Sequence, residues 1–362
     1  MRWLCNFRYL VGKGKIDFMT LIFNGEQLAK QKALKLKQKV LSYHAKGIYP
    51  KVAAIFFRED AASALYTTLK KQTAEELGIA YQAKAFSFTD SVEEIQAYIE
   101  ELNADPSITG IIIQKPWTRK WLEVVPGGDF AKWWSSLVSH IATRESHGVN
   151  KDVDGLAPAT LAAIKAGTWM QQSMVLPATA RAVLSILKDY RAKVDPNFSY
   201  LTEKVLIIGQ SDLLGRPLYW HIKNLMQKGA SVPVAFGEAC QIAVEEAQTS
   251  DKKCEVKLVG KQGLGELIEQ KKSLRDFRVI ISATGQKNLL HGDLVAAHSI
   301  LIDVGEPQGD IDFPSCLNKA DFITPVPGGV GPMTVISLMA NAVDLLKNSL
   351  LELKKQTEGS ND

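Results

Sequence analysis

The sequence predicts an α/β protein with parallel sheets, on three observations. Short apolar runs rich in β-branched residues alternate with segments of helical period. Most runs are continuous rather than alternating, the pattern of strands covered by helices on both faces. The length, 362 residues, suits two or three domains at roughly 100–200 residues each.

The elements follow in order. Ala53-Ala54-Ile55-Phe56-Phe57 reads as a buried strand. Asp60 then offers an N-cap to a helix in which Leu65, Leu69 and Leu77 recur, and Gly78 closes it. Ile108 to Gln114 is a second strand, and Val205 to Ile208, ending at Gly209, a third. A helix from Pro217 to Lys228 leads through Gly229 to a strand over Ser231 to Phe236. Val279 to Ile281 and Ile300 to Ile302 complete the strands. Leu156 to Lys165 and Thr334 to Leu353 are helical stretches able to join domains. Trp117, Trp121, Trp133 and Trp134 surround Pro126-Gly127-Gly128 in a segment that reads as a lid or an interface patch, and composition does not decide between them.

Composition excludes several classes. Hydrophobic residues make up 46% and charged residues 23%, too apolar for a disordered chain. The net charge of +4 is too weak a bias for a dedicated nucleic-acid binder. Cys5, Cys240, Cys254 and Cys316 are scattered, so neither a zinc site nor a disulfide framework is indicated, and a reduced, cytoplasmic setting is expected. No apolar run approaches the ~18 residues of a membrane span. Residues 1–18 read as an extension ahead of Met19 rather than a transit peptide, and 356–362 as a frayed tail.

Individually, the polar residues that stand out are ambiguous. Gly209-Gln210-Ser211-Asp212-Leu213-Leu214-Gly215-Arg216-Pro217 follows a buried strand and opens a helix. It reads equally as a tight turn or as a phosphate cradle at a helix N-terminus. Glu238, just past the Ser231–Phe236 strand, stands where an acid accepts from the ribose hydroxyls of NAD; an exposed loop glutamate is the other reading. Tyr66 and Lys70 share a helix face, as many solvated pairs do; in a cleft the amine could shuttle protons. Gln114 ends a strand, where an amide commonly satisfies a neighbouring loop, and Asp154 could be a turn former. The Pro/Gly-dense run from Thr324 to Thr334 fits a loop touching a ligand better than an ordinary connection.

Together these residues are far more specific. From about Met19 to Leu346 the chain resembles the bifunctional methylenetetrahydrofolate dehydrogenase/methenyltetrahydrofolate cyclohydrolase family, the FolD type. The resemblance rests on Ser63-x-x-Tyr66-x-x-x-Lys70, Gly110 to Pro116, Lys151-Asp152-Val153-Asp154-Gly155, Gly209-x-Ser211-x-x-x-Gly215-x-Pro217, Ser282 to Gly285, Ile302 to Gly305 and Pro325 to Thr334. It implies two lobes with the site in the cleft between them. A folate-binding catalytic domain, 19–157, is completed by a C-terminal helix, 334–355, and a Rossmann-like nucleotide domain spans 158–333.

The implied activity is oxidation of 5,10-methylenetetrahydrofolate with NAD or NADP, then hydrolysis of the methenyl product to 10-formyltetrahydrofolate. The family's active-site lysine falls on Lys70, its stacking tyrosine on Tyr66, its orienting glutamine on Gln114 and its pterin-binding aspartate on Asp154. Substrate contacts fall on Ser63, Tyr66, Asp154, Pro327, Gly328, Gly329 and Val330. Cofactor contacts fall on Gly209, Gln210, Ser211, Gly215, Arg216, Pro217, Glu238, Thr284, Gly285 and Gly305. No metal is implied, and a homodimer is.

The departures gather around the cofactor. The family's Pro-Cys-Thr-Pro reads Pro177-Ala178-Thr179-Ala180, its Gly-Arg-Ser arginine is Gln210, and its His-Ser pair reads Phe236-Gly237 before Glu238. A carboxylate without a positive fork predicts NAD over NADP, unless Lys252, Lys253, Lys257, Lys261 or Arg216 supplies the missing charge. Clustered there, the departures also leave open a cyclohydrolase with weak dehydrogenase activity. A non-catalytic folate- or nucleotide-binding regulator is disfavoured by the joint presence of Tyr66, Lys70, Gln114 and Asp154.

Overall fold

A computed structural model of the chain describes residues 19–228, 254–269 and 274–359. After the two-residue strand β1 (Leu21–Ile22), helix α1 (Gly25–His44) leads to β2 (Lys51–Phe57), α2 (Ala61–Leu77), β3 (Ala80–Phe86), α3 (Val92–Ala104) and β4 (Gly110–Ile113). Four helices follow, α4 (Thr118–Val124), α5 (Phe130–Val138), the single turn α6 (Arg144–His147) and α7 (Pro158–Ala166). Next come α8 (Ala178–Lys193), β5 (Lys204–Ile208), α9 (Gly215–Lys228), β6 (Glu255–Val259) and α10 (Lys261–Glu269). The chain ends with β7 (Val279–Ser282), β8 (Ile300–Asp303), α11 (Phe313–Cys316), β9 (Phe322–Ile323) and the long α12 (Val330–Gly359).

Two sheets result, and every pairing between named strands is parallel. The first has three strands in the order β3-β2-β4, the second six in the order β1-β9-β8-β7-β5-β6. The continuous apolar runs behave as expected. β4, β7 and β8 are buried along their whole length, packed on both faces. The chain leaves β5 for β6 on one side and β7 on the other, which makes the carboxyl end of β5 a topological switch point, where α/β proteins hold ligands. The N-terminal edge departs from a simple lobe boundary at residue 19. Leu21 and Ile22 pair with Phe322 and Ile323, so the first strand joins the six-stranded sheet before the chain enters the smaller one.

Helix α2 is capped as the sequence predicts. Asp60 accepts from the Ser63 N–H at 3.3 Å and the Ser63 hydroxyl at 2.8 Å, and Gly78 closes the helix at φ 82°. Its buried face is not the leucine stripe. Leu65 and Leu69 are exposed, whereas Ser63, Thr67, Lys70, Ala74 and Leu77 turn inward. The polar inward face is what a site requires, and Thr67 settles its own burial by donating to the Ser63 carbonyl at 2.8 Å.

The tryptophan-rich segment is neither lid nor patch. Trp121, Trp133 and Trp134 are buried and pack with Phe57, Phe88 and Phe130 against one face of the smaller sheet. Only Trp117 of the four is exposed. The expected strand over Ser231 to Phe236, and Glu238 after it, lie outside the described residues. The strand that flanks β5 there is β6, running from Lys204↔Glu255 to Ile208↔Val259. Gly260, Lys261 and Gln262 therefore stand at its carboxyl end. Two β-branched runs follow α9 in the sequence, and periodicity does not rank them.

Candidate active site

Lys70 and Gln114 come together from different elements. Lys70 lies on the inward face of α2, three turns from its N-cap, and Gln114 is the first residue beyond β4. Gln114 N–H donates to the Ile55 carbonyl at 2.8 Å, which fixes its backbone against β2. Its Oε1 accepts from Lys70 Nζ at 2.7 Å across a largely buried contact. Tyr66 sits one turn before Lys70, half-buried.

Two of the three charges in the Lys151–Gly155 loop are used internally. Lys151 Nζ donates to the carbonyls of Leu102, Asn103 and Asp105 at 2.9, 2.8 and 2.7 Å, closing the C-terminus of α3. Asp152 accepts from the N–H groups of Leu156 and Ala157 and from the Thr160 hydroxyl, tying the loop to the start of α7. Asp154 makes no such internal bond among the described residues. Burial raises its pKa above the ordinary carboxylate range, and the nearby Lys70 charge opposes the rise. Gly155, at φ 70°, lets the chain turn against Leu176 and Pro177, where any Cβ would press on backbone.

Tyr81 was not anticipated. It lies on β3, its hydroxyl is buried without a partner among the described residues, and burial together with the Asp154 charge drives its pKa upward. Asn341 of α12 was not anticipated either. Its Nδ2 donates at 2.9 Å to the carbonyls of Val153 and Leu176, holding the backbone just ahead of Asp154. A lone Asn or Tyr on an apolar helix or strand carries no sequence signal for such a role.

Ser63 is buried and spends its hydroxyl on Asp60, whose other bond, from the Trp117 N–H at 3.1 Å, ties α2 to the loop after β4. The Pro/Gly loop runs through Pro327, Gly328 at φ 93°, Gly329 and buried Val330 into α12. Gly25 N–H donates to the Gly328 carbonyl at 3.0 Å, and a Cβ on Gly25 would collide with the Gly328 and Gly329 carbonyls. That close approach seats the loop on the start of α1.

A second cluster forms at the switch point. Gly209, at φ 112°, lies against the Ala283 carbonyl, and a Cβ on Gly215 would strike the Gly209 carbonyl. The loop between them is folded tightly over the start of α9, with Pro217 buried and Gln210, Ser211 and Arg216 at the surface. Arg216 is held by Asp212 at 3.1 Å. The Gln210 side chain extends to Gly260 at the end of β6. Asp310, absent from the expected set, organises the opposite wall. Its carboxylate accepts from the Ser282 hydroxyl, the Thr284 N–H and hydroxyl, and the Gln286 N–H. Gly305 N–H donates to Asp303 at 2.9 Å, and Gly285 sits at φ 69° beside the Glu306 carbonyl.

Glycines that admit no Cβ, a buried strand end and a 14-residue helix starting there form a cradle suited to a dinucleotide pyrophosphate. Lys115, next to Gln114, feels the charge of Asp212 in that loop, so the two clusters are within electrostatic reach. No group of three or more metal-ligating side chains occurs among the described residues.

Comparison with known proteins identifies the two parts of the chain. Residues 23–124 match the family model for the catalytic domain of tetrahydrofolate dehydrogenase/cyclohydrolase, and residues 251–350 match that for its NAD(P)-binding domain. The bifunctional protein FolD of Lactobacillus helveticus is 31% identical over 335 residues, 91% of this chain and 98% of that protein. Its counterpart in Moorella thermoacetica is 27% identical, over 89% and 97% of the two chains. The crystal structure of FolD methylenetetrahydrofolate dehydrogenase/cyclohydrolase from Campylobacter jejuni superimposes with a TM-score of 0.69 at 27% identity, covering 91% of this chain and 99% of that one.

Proposed function

The chain belongs to the tetrahydrofolate dehydrogenase/cyclohydrolase family, and from that premise we infer that Lys70, Gln114, Asp154 and Tyr66 form its catalytic centre. The enzyme oxidises 5,10-methylenetetrahydrofolate with NAD(P) and hydrolyses the methenyl product to 10-formyltetrahydrofolate. The observation that carries the site is the 2.7 Å bond from Lys70 Nζ to Gln114 Oε1, with the half-buried Asp154 carboxylate feeling the charge of the same amine.

Each residue has a role that its surroundings support. Asp154, free of internal bonds, accepts from the pterin's N–H groups and fixes the ring. Tyr66 stacks on the folate from the neighbouring turn of α2. A nicotinamide held at the Gly209–Pro217 cradle would supply a hydride acceptor for the methylene carbon, and the chain contributes orientation to that step. In hydrolysis, water adds to the methenyl carbon and its proton passes to the Lys70 amine. The carbon–nitrogen bond then breaks as the departing nitrogen takes that proton back from the Lys70 ammonium and the adduct's hydroxyl releases its own proton to solvent, leaving the formyl carbonyl. Gln114, by accepting one N–H, turns the amine's lone pair toward the water.

We divide the chain at 19–157 with 334–355 for folate and 158–333 for the nucleotide. The nucleotide contacts are assigned to Gly209, Gln210, Ser211, Gly215, Arg216 and Pro217 on one wall and Thr284, Gly285 and Gly305 on the other. For the choice of cofactor, the turn after β6 matters. Gly260 there lies against the Gln210 side chain, and the next residue, the cation Lys261, opens α10. A 2′-phosphate gains from both the ammonium and the helix N-terminus. We therefore propose NADP ahead of NAD. A cytoplasmic homodimer completes the proposal; among the described residues no helix is long and apolar enough to cross a membrane.

Absorbance of the methenyl-folate tests the function directly. The compound is expected to accumulate from methylenetetrahydrofolate only with a nicotinamide, and to decay faster than the uncatalysed rate without one. Decay without formation would leave a cyclohydrolase alone, and neither would remove the reading.

A further inference from the structure

A pocket of about 260 Å3 opens between α1, α8 and α12, and none of its walls belongs to the folate or nucleotide sets. Lys32, Lys35 and Lys39 of α1, Arg181 and Ser185 of α8, and Ser337 of α12 line it over an apolar floor. Four of these side chains are cations, and no acid is among the lining residues. Asp344, next to it, is shared by Lys39 and Arg181, each at 2.8 Å. Lys32 and Lys35 have no ion pair among the described residues. Burial and the charges of Arg181, Lys188 and Lys35 lower the Lys32 pKa. The carboxylate that opposes them, Asp189, is itself bonded to Lys193 at 2.7 Å.

Three helices from distant parts of the sequence thus bring four cations together, and Asp344, bonded to Lys39 and Arg181, leaves the charges of Lys32 and Lys35 without an ion pair among the described residues. An occupant of opposite charge offsets them. We propose that this pocket binds a compact polyanion, a small molecule carrying two or more phosphate or carboxylate groups. The lysines supply point charges, the Arg181 guanidinium a further positive charge held in place by Asp344 and Asn341, and Ser185 and Ser337 hydroxyl donors. The floor formed by Leu36, Ile336 and Ala340 takes the apolar part of the ligand.

Titration calorimetry of the full chain tests this, with saturating NADP present so that the nucleotide cradle is filled. Tripolyphosphate and citrate are titrated separately at one fixed ionic strength into wild type and into the Lys32→Gln/Lys35→Gln double variant. At least one anion is expected to bind wild type one to one, and the double variant at least tenfold more weakly. Tighter binding of tripolyphosphate assigns a phosphorylated ligand, and tighter binding of citrate a polycarboxylate. With no anion present the variant is expected to melt at or above the wild-type temperature, because the repulsion is gone; this also reports that it folds. Failure of both anions to bind wild type, or equal binding by the double variant, overturns the proposal.

Discussion

At the scale of single residues, the division of labour within Lys151–Gly155 leaves Asp154 without an internal hydrogen bond among the described residues. Its neighbours Lys151 and Asp152 are consumed by the ends of α3 and α7. Replacing Asp154 with Ala leaves those caps in place and removes an acceptor from the pterin, at ~1–3 kcal/mol. The KM for the folate should rise about tenfold or more, with the melting temperature little changed; an unchanged KM would reduce Asp154 to a turn residue. The raised pKa adds a sign. A carboxylate held above its ordinary range takes its proton early on acidification, so the folate KM should climb at a higher pH than a solvated aspartate would dictate. Asp154→Asn should abolish that dependence. The charged residues were legible because their ordered motif is specific. Asn341 and Asp310 were not, because each acts on backbone N–H or C=O groups that only the folded chain brings together.

At the scale of elements, pattern and chemistry part company at two places. On α2 the leucines suggested the inward face, yet that face carries Ser63, Thr67 and Lys70. Periodicity scores apolarity, whereas a helix that borders a ligand cleft turns polar side chains inward. After α9, two β-branched runs competed for the place beside β5. The pairing of Lys204 with Glu255 puts Gly260 and Lys261 at the carboxyl end of the strand beside β5, while Glu238 lies outside the described residues. The prediction is a kcat/KM ratio favouring NADP, shifted toward NAD in Lys261→Glu by tenfold or more. Equal ratios in the two proteins would place the discriminating group elsewhere. The tryptophans show the reverse error, since aromatic density alone could not tell a surface segment from the core that Trp121 and Trp133 help to build.

For the whole molecule, parallel sheets under helices were legible from the apolar runs, while the six-strand order and the return of Leu21–Ile22 to β9 were not. Register is a long-range property that local pattern does not encode. Stability carries its own signature in His221 of α9, buried edge-on against Trp169 with its pKa depressed to about 4. The unfolded chain takes up this proton near pH 6.5 and the folded one only near 4. Stability from this group is therefore full above pH 6.5 and drains away as the pH falls toward 4, by at most ~3 kcal/mol. The difference in unfolding free energy between wild type and His221→Gln should change across that window and be flat above it; a difference independent of pH would contradict the assignment.

The central claim is that the amine held by Gln114 moves the proton during water attack. Lys70→Met tests it most directly, with cyclohydrolase turnover and NADP binding measured on the same preparation. The expected result is a ~10²–10⁴-fold loss of turnover with the nucleotide still bound as in wild type, and no rescue in Lys70→Arg, whose guanidinium keeps its proton. Cyclohydrolase turnover within a few-fold of wild type in Lys70→Met would contradict it.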